Sequence, residues 1–158
     1  KSIDTRDDAQ LADYLNALVD GKAFDGKGLI YGIGHAVYSI SDPRAKIFRE
    51  FVEKLSFEKG LHEEYELYRR VETLAPEIIG KKRKIYKGVS ANVDFYSGFA
   101  YSLLNIPVEL YTPIFAIARM AGWSAHRMEE LGNAGKIIRP AYASVAERRS
   151  YVPMKERK

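Results

Sequence analysis

From Pro113 to Trp123 the chain reads Pro-Ile-Phe-Ala-Ile-Ala-Arg-Met-Ala-Gly-Trp, apolar at nearly every position and broken by one charge, Arg119. Thr112 followed by Pro113 is a cap-then-proline signature, so a helix is expected from there to about Leu131, with Gly132 just past its end. A helix that is apolar all round needs cover on several sides. A chain of 158 residues struggles to supply that much. The segment therefore points to a partner domain or a subunit interface, and to self-association or element exchange by the isolated chain. Arg119 also divides the best candidate for a membrane span.

The other elements follow from caps and periodicity. Thr5 and Asp8 resemble a capping box before the stripe Leu11, Leu15 and Leu18, with Gly21 placed to end that helix. Lys22 to Gly34 carries four glycines and no periodicity and reads as a loop. Asp42 caps and Pro43 opens a second helix whose expected buried face is Ile47, Phe48, Phe51, Val52 and Leu55. A third runs from about Leu61 to Leu74, where Pro76 interrupts it, and Gly80 to Gly88 then forms a basic connector. Asn92 caps a fourth helix bearing Tyr96, Phe99, Ala100 and Leu103. The remainder, from Asn133 on, reads as an extended tail. Strand signals are nearly absent, and the expected fold class is all-α.

Composition narrows the chemistry. Hydrophobic residues make up 46% and charged residues 29%, the balance of a globular protein. There are no cysteines, so disulfides, thiolate nucleophiles and zinc-thiolate sites are excluded, in agreement with a reducing, cytoplasmic setting. No signal peptide is expected. With three histidines and no His-Glu-x-x-His pattern, no metal site is expected. A net charge of +4 suits anionic small molecules as well as nucleic acid.

Three segments offer chemistry. In Gly32-Ile33-Gly34-His35 the glycine pair lets a ligand or another backbone come close to a histidine. Alone, that histidine is read equally well as a structural ring bonded to a backbone carbonyl. Arg44 sits in the first turn of a helix, where guanidinium and backbone N–H groups can converge on an anion. In Asn92-Val93-Asp94 the carboxylate lies in a first helical turn, an ordinary place for an acid. Arg119 is either a snorkelling or salt-bridged arginine or a carboxylate clamp.

In order and spacing, Gly32–Arg44, Asn92–Gly98 and Phe115–Trp123 resemble the citrate synthase family, and the match runs from about Gly28 to the C-terminus. The resemblance implies an all-α chain with residues 1–104 as the small domain and 105–158 as the end of the large domain. It implies an acyltransferase that condenses acetyl-CoA, a substrate and not a cofactor, with oxaloacetate in the tricarboxylic acid cycle. His35 then donates to the oxaloacetate carbonyl and Asp94 is the general base. Arg44, Arg119 and Arg139 hold the carboxylates, with Arg139 reaching across a homodimer. Leu29, Ile30, Tyr31, Gly32, Ile33 and Gly34 form the coenzyme A loop, joined by Asn92. Where several members carry a basic residue after this loop, Ser39 stands here. The Lys81–Lys84 cluster could help neutralise phosphates, although a solvated basic turn is the plainer reading.

The family also uses a histidine upstream of the glycine-histidine turn, and Lys1 to Gly34 contains none. The chain is accordingly expected to be a C-terminal portion, inactive alone. The rivals are 2-methylcitrate synthase, differing by one methylene in its acyl substrate, and a non-catalytic helical module. No nucleic-acid or membrane partner is expected.

Overall fold

The computed structural model describes residues 3–133, 146–148 and 150–157. Among these the regular structure is helical, with one isolated bridge between Ile33 and Ala91. Among the described residues no helix is long and apolar enough to cross a membrane. The chain divides into one unit ending at Ile114 and another from Phe115 onward.

The first unit is built from α1 (Asp8–Val19), α2 (Pro43–Glu58), α3 (His62–Arg83) and α4 (Val93–Leu103). α2 packs most extensively on α4, and α3 packs on both α1 and α2. Two apolar clusters hold it together. One joins Val52, Tyr65, Tyr96, Phe99 and Leu103, with Tyr68 stacked on Phe99 at 4.5 Å between ring centres. The other joins Leu11, Leu15, Ile30, Ala75 and Ile79. Ile33, from the glycine-rich loop, packs against both, so the core fixes the loop before any polar contact is considered. Tyr96 is fully buried, and its hydroxyl donates to Glu72 at 2.6 Å. Burial and that bond push its pKa far above the ordinary tyrosine value.

The helix ends differ from the expected ones in α1 and α3. The first helix is capped by Asp7, not by a Thr5–Asp8 box: its carboxylate accepts from the Ala9 and Gln10 N–H groups. The Gln10 side-chain amide donates to the Asp7 carboxylate at 3.0 Å, while the Asp7 N–H goes to the Asp4 carbonyl, so the reciprocal half of a capping box is not made. Pro76 does not end α3. It removes one N–H and costs about 3 kcal/mol in a helix interior, but Ala75 and Ile79 beside it are buried and pull the helix through. The expected basic connector is thus partly helical: Lys81, Lys82 and Arg83 form the last turn of α3, favourable at the negative end of the helix dipole.

On α2 the expected buried face is too wide. Val52 is buried and Phe48 and Leu55 partly so, whereas Ile47 and Phe51 are 57% and 68% exposed. The face that α3 and α4 cover is centred on Ala45, Val52 and Ser56.

α5 (Tyr111–Asn133) follows a 3₁₀ turn at Val108–Leu110. It starts one residue before Thr112, which is therefore not its cap, and it runs past Gly132. Pro113 is tolerated because first-turn N–H groups lack intrahelical acceptors in any case. None of its residues is buried, so the chain does not supply the cover such a helix needs, as its length led one to expect; Ile117, Met120, Trp123, Met128 and Leu131 are all exposed. Apolar surface of that kind drives association. The purified 158-residue polypeptide should therefore gain mass with concentration in light scattering across a dilution series. A clean monomer at high concentration would contradict this.

Candidate active site

The glycine-rich loop and the start of α4 are laced together by backbone. Gly34 N–H donates to the Ser90 carbonyl at 2.7 Å, and Asn92 N–H donates to the Gly32 carbonyl at 2.8 Å. The Asn92 side chain adds two bonds: its amide donates to the Gly34 carbonyl at 2.8 Å, and its oxygen accepts from Asp94 N–H at 2.9 Å. Gly32 has φ +80°, and a Cβ there would lie 2.8 Å from the Phe95 Cα. No side chain fits, which is the close backbone approach that the glycine pair suggested. Asn92 thus holds the loop of His35 against the helix of Asp94 while capping that helix.

His35 does not bond a backbone carbonyl. Its Nδ1 accepts from the Val37 and Tyr38 N–H groups at 3.0 and 3.1 Å. With Nδ1 occupied as an acceptor, the proton of a neutral ring sits on Nε2. Arg44 brings Nη2 to 3.5 Å from that Nε2. Two donors cannot satisfy each other, so the arrangement suits an acceptor oxygen shared between them.

Arg44 itself is tied down. Its Nε donates to Asp42 at 3.0 Å and its Nη2 to the other carboxylate oxygen at 2.8 Å, a two-pronged ion pair. Asp42 also accepts from Arg44 N–H at 3.0 Å and from Val93 N–H, the first residue of α4, at 3.1 Å. The anion at the start of α2 is therefore this buried carboxylate, where an external ligand had been expected. Asp42 raises the Arg44 pKa above its ordinary value, first by hydrogen bond and then by charge, with burial opposing and Asp94 adding a smaller push. Asp94 is exposed in the first turn of α4.

His35, Arg44 and Asp94 therefore share one bonded framework within the first unit. Arg119 lies in the second unit, exposed, with its guanidinium 5.6 Å from the centre of the Phe115 ring. Arg139 lies outside the described residues.

Gly28, Leu29, Ile30, Ile33 and Gly34 line one side of a cavity of about 270 Å³, with Ile79, Arg83 and Lys87 among the residues opposite. Arg83 donates to the Gly28 carbonyl, pinning the start of the loop. Tyr31 is exposed, its hydroxyl bonded to Asp25 at 2.7 Å. Among the described residues no group of three or more His, Asp or Glu side chains could hold a metal ion.

The model of the citrate synthase C-terminal domain matches residues 1–141. The citrate synthase of Synechocystis sp. is 44% identical over 137 residues, covering 86% of this chain and 33% of that protein. A 2-methylcitrate synthase of Shewanella oneidensis is 36% identical over 148 residues, covering 92% and 36%. The chain belongs to the citrate synthase family. It spans about a third of the length of these relatives. Among solved structures, a ternary complex of Thermoplasma acidophilum citrate synthase with carboxymethyl coenzyme A and oxaloacetate superposes with TM-score 0.67. It is 36% identical, with 97% of this chain and 39% of that one covered.

The citrate synthase motifs of the sequence do not single out Asp42, which reads there as an ordinary cap, or Arg83 and Lys87, which read as part of a solvated basic stretch. In the fold Lys81 pairs with Glu77 one turn before it, and Lys82 pairs with Asp20 at the end of α1. A helix reading carried through Pro76 would have put Arg83 on a last turn close to the loop.

Asp42 also makes a pH prediction. The Arg44 hydrogen bond holds its carboxyl below the ordinary value, burial opposes this, and the N–H groups of Arg44 and Val93 assist. A carboxyl with a lower pKa in the folded than in the unfolded state adds stability above its unfolded value of about 4. That stability is lost as pH falls through the folded value. Asp42→Asn should cost about 1–2 kcal/mol near neutrality. It should also flatten the fall in stability below about pH 4, read by urea unfolding across pH. A parallel acid limb would remove Asp42 from this role.

Proposed function

We propose that this chain is the C-terminal part of a citrate synthase, and that its first unit supplies the carbonyl donor and the base of the condensation. The observation that carries this is the ring of His35. Its Nδ1 is occupied by two backbone N–H groups, which leaves Nε2–H beside the Arg44 guanidinium.

In this reading oxaloacetate places its carbonyl oxygen on His35 Nε2–H, and Arg44 takes an adjoining carboxylate with the hydrogens that Asp42 leaves free. The donor is aimed at the oxygen that gains negative charge, so it stabilises the transition state more than the ground state. Asp94 removes a proton from the methyl of acetyl-CoA. The resulting enol carbon attacks the polarised carbonyl, forming the new carbon–carbon bond, and the former carbonyl oxygen gains a proton. Water then cleaves the thioester, giving citrate and free coenzyme A. Arg119, and Arg139 from a dimer partner, hold the remaining carboxylate charge. Positioning and proton transfer supply most of the acceleration.

The coenzyme A moiety belongs in the cavity behind Leu29–Gly34, where backbone groups can recognise an adenine edge. Lys87 and Arg83 bring positive charge to that cavity, while the position after the loop is Ser39. The small-domain and large-domain assignments, residues 1–104 and 105–158, the dimer, the place in the tricarboxylic acid cycle and the cytoplasmic setting belong to the same proposal. So does inactivity of the isolated chain, which contains one of the two histidines that the family resemblance calls for.

The Shewanella relative keeps a second acyl substrate in view. The choice is read from thiol release with acetyl-CoA and propionyl-CoA in parallel, since one methylene is worth only about 1–3 kcal/mol of discrimination.

Two substitutions in the full-length enzyme test the assignments. Asp94→Asn keeps shape but removes the base, so turnover should fall by about 10²–10⁴-fold while oxaloacetate still binds. Unchanged steady-state turnover in the pure variant would end this role for Asp94. Arg119→Lys replaces a planar fork with a point charge. Calorimetry should show oxaloacetate affinity weakened by about tenfold or more, and equal binding would leave Arg119 structural.

A further inference from the structure

We infer that Asp42 is a positioning residue of this site, setting the spacing between the carbonyl-holding pair His35 and Arg44 and the base Asp94. The inference rests on the function proposed above. A helix cap needs one acceptor oxygen, and Asp42 uses one for Arg44 N–H. Its second oxygen caps no N–H of α2. It accepts from Arg44 Nη2 at 2.8 Å and from Val93 N–H at 3.1 Å, the residue beside Asp94 and 51 positions away in sequence. The carboxylate is 1% exposed, so water cannot replace these donors.

Two consequences follow for the chemistry. Nε and one Nη2 hydrogen of Arg44 are spent on Asp42, so the guanidinium meets a substrate end-on, with Nη1 and the remaining Nη2 hydrogen. The remaining Nη2 hydrogen lies on the side of His35, because Nη2 is 3.5 Å from Nε2. The same carboxylate oxygen also anchors the first residue of α4. A displaced Asp42 therefore changes the direction of Arg44 and the seating of Asp94 together. Asparagine at this position can still cap α2, but its amide N–H₂ would face the donors of Arg44 or Val93.

The test is a kinetic cycle in the full-length enzyme with Asp42→Asn, Arg44→Ala and the double variant. Asp42→Asn should lower kcat by about 10–100-fold, the scale of a misplacement near 1 Å, and raise KM for oxaloacetate while that for acetyl-CoA changes little. In the Arg44→Ala background its effect on the oxaloacetate KM should shrink to within about twofold, because the two residues act as one unit. Equal effects in both backgrounds, or wild-type kinetics, would reduce Asp42 to a cap. Should Asp42→Asn fail to fold, NMR of the unsubstituted 158-residue chain decides. The Arg44 Nε–H should be protected from solvent exchange, and exchange at the rate of a free arginine would overturn the inference. Absence of thiol release by the unsubstituted full-length enzyme would count against the proposed function and leave the exchange measurement standing.

Discussion

A single buried carboxylate, Asp42, organises the charged half of this structure. It accepts four N–H groups from two helices and one guanidinium, so its charge is met on every side it presents. Burying an ion is costly unless it is paired and hydrogen-bonded. Here the same bonds that lower that cost also fix Arg44 and the start of α4. Removing either partner would leave the other charge or dipole without its complement.

Asn92 does for the loop what Asp42 does for the helices. Its backbone and side chain bond Gly32, Gly34 and Asp94 together, and Gly32 permits the contact because Phe95 occupies the space a Cβ would need. Ile33 sits in both apolar clusters, so the loop is clamped from the core side as well. His35 emerges from this rigid base with its ring direction set by two backbone donors. Preorganisation of this kind is what an electrostatic catalyst requires, since no reorganisation is needed when charge develops. Each of these groups also stays in reach of solvent: His35 and Arg44 are partly buried and Asp94 is exposed.

Where a feature depended on neighbours in sequence it was legible there. Asp42 and Pro43 open α2, and Asn92 opens α4, because a cap is decided by residues two or three positions away. Pro76 and Thr112 misled for the complementary reason. Whether a helix survives proline depends on what its flanks bury, and Ala75 and Ile79 are buried by α1 and the loop, elements remote in sequence. Ile47 and Phe51 look like core on periodicity, yet the width of the covered face is set by where α3 and α4 lie. In the site, His35, Arg44 and Asp94 could be picked out by motif. The bond from Asp42 to Val93 could not, since no local pattern signals a contact across 51 residues.

In the proposed reaction His35 presents a proton from Nε2 toward a substrate oxygen. Long-range ¹H–¹⁵N correlation spectra of the ¹⁵N-labelled 158-residue chain at neutral pH report the state of that ring directly. The expected result is a single Nε2–H tautomer for His35, with Nδ1 at an acceptor shift, and slowed exchange of the Val37 and Tyr38 amides. A ring protonated on Nδ1, or one averaging between tautomers with both amides unprotected, would contradict it.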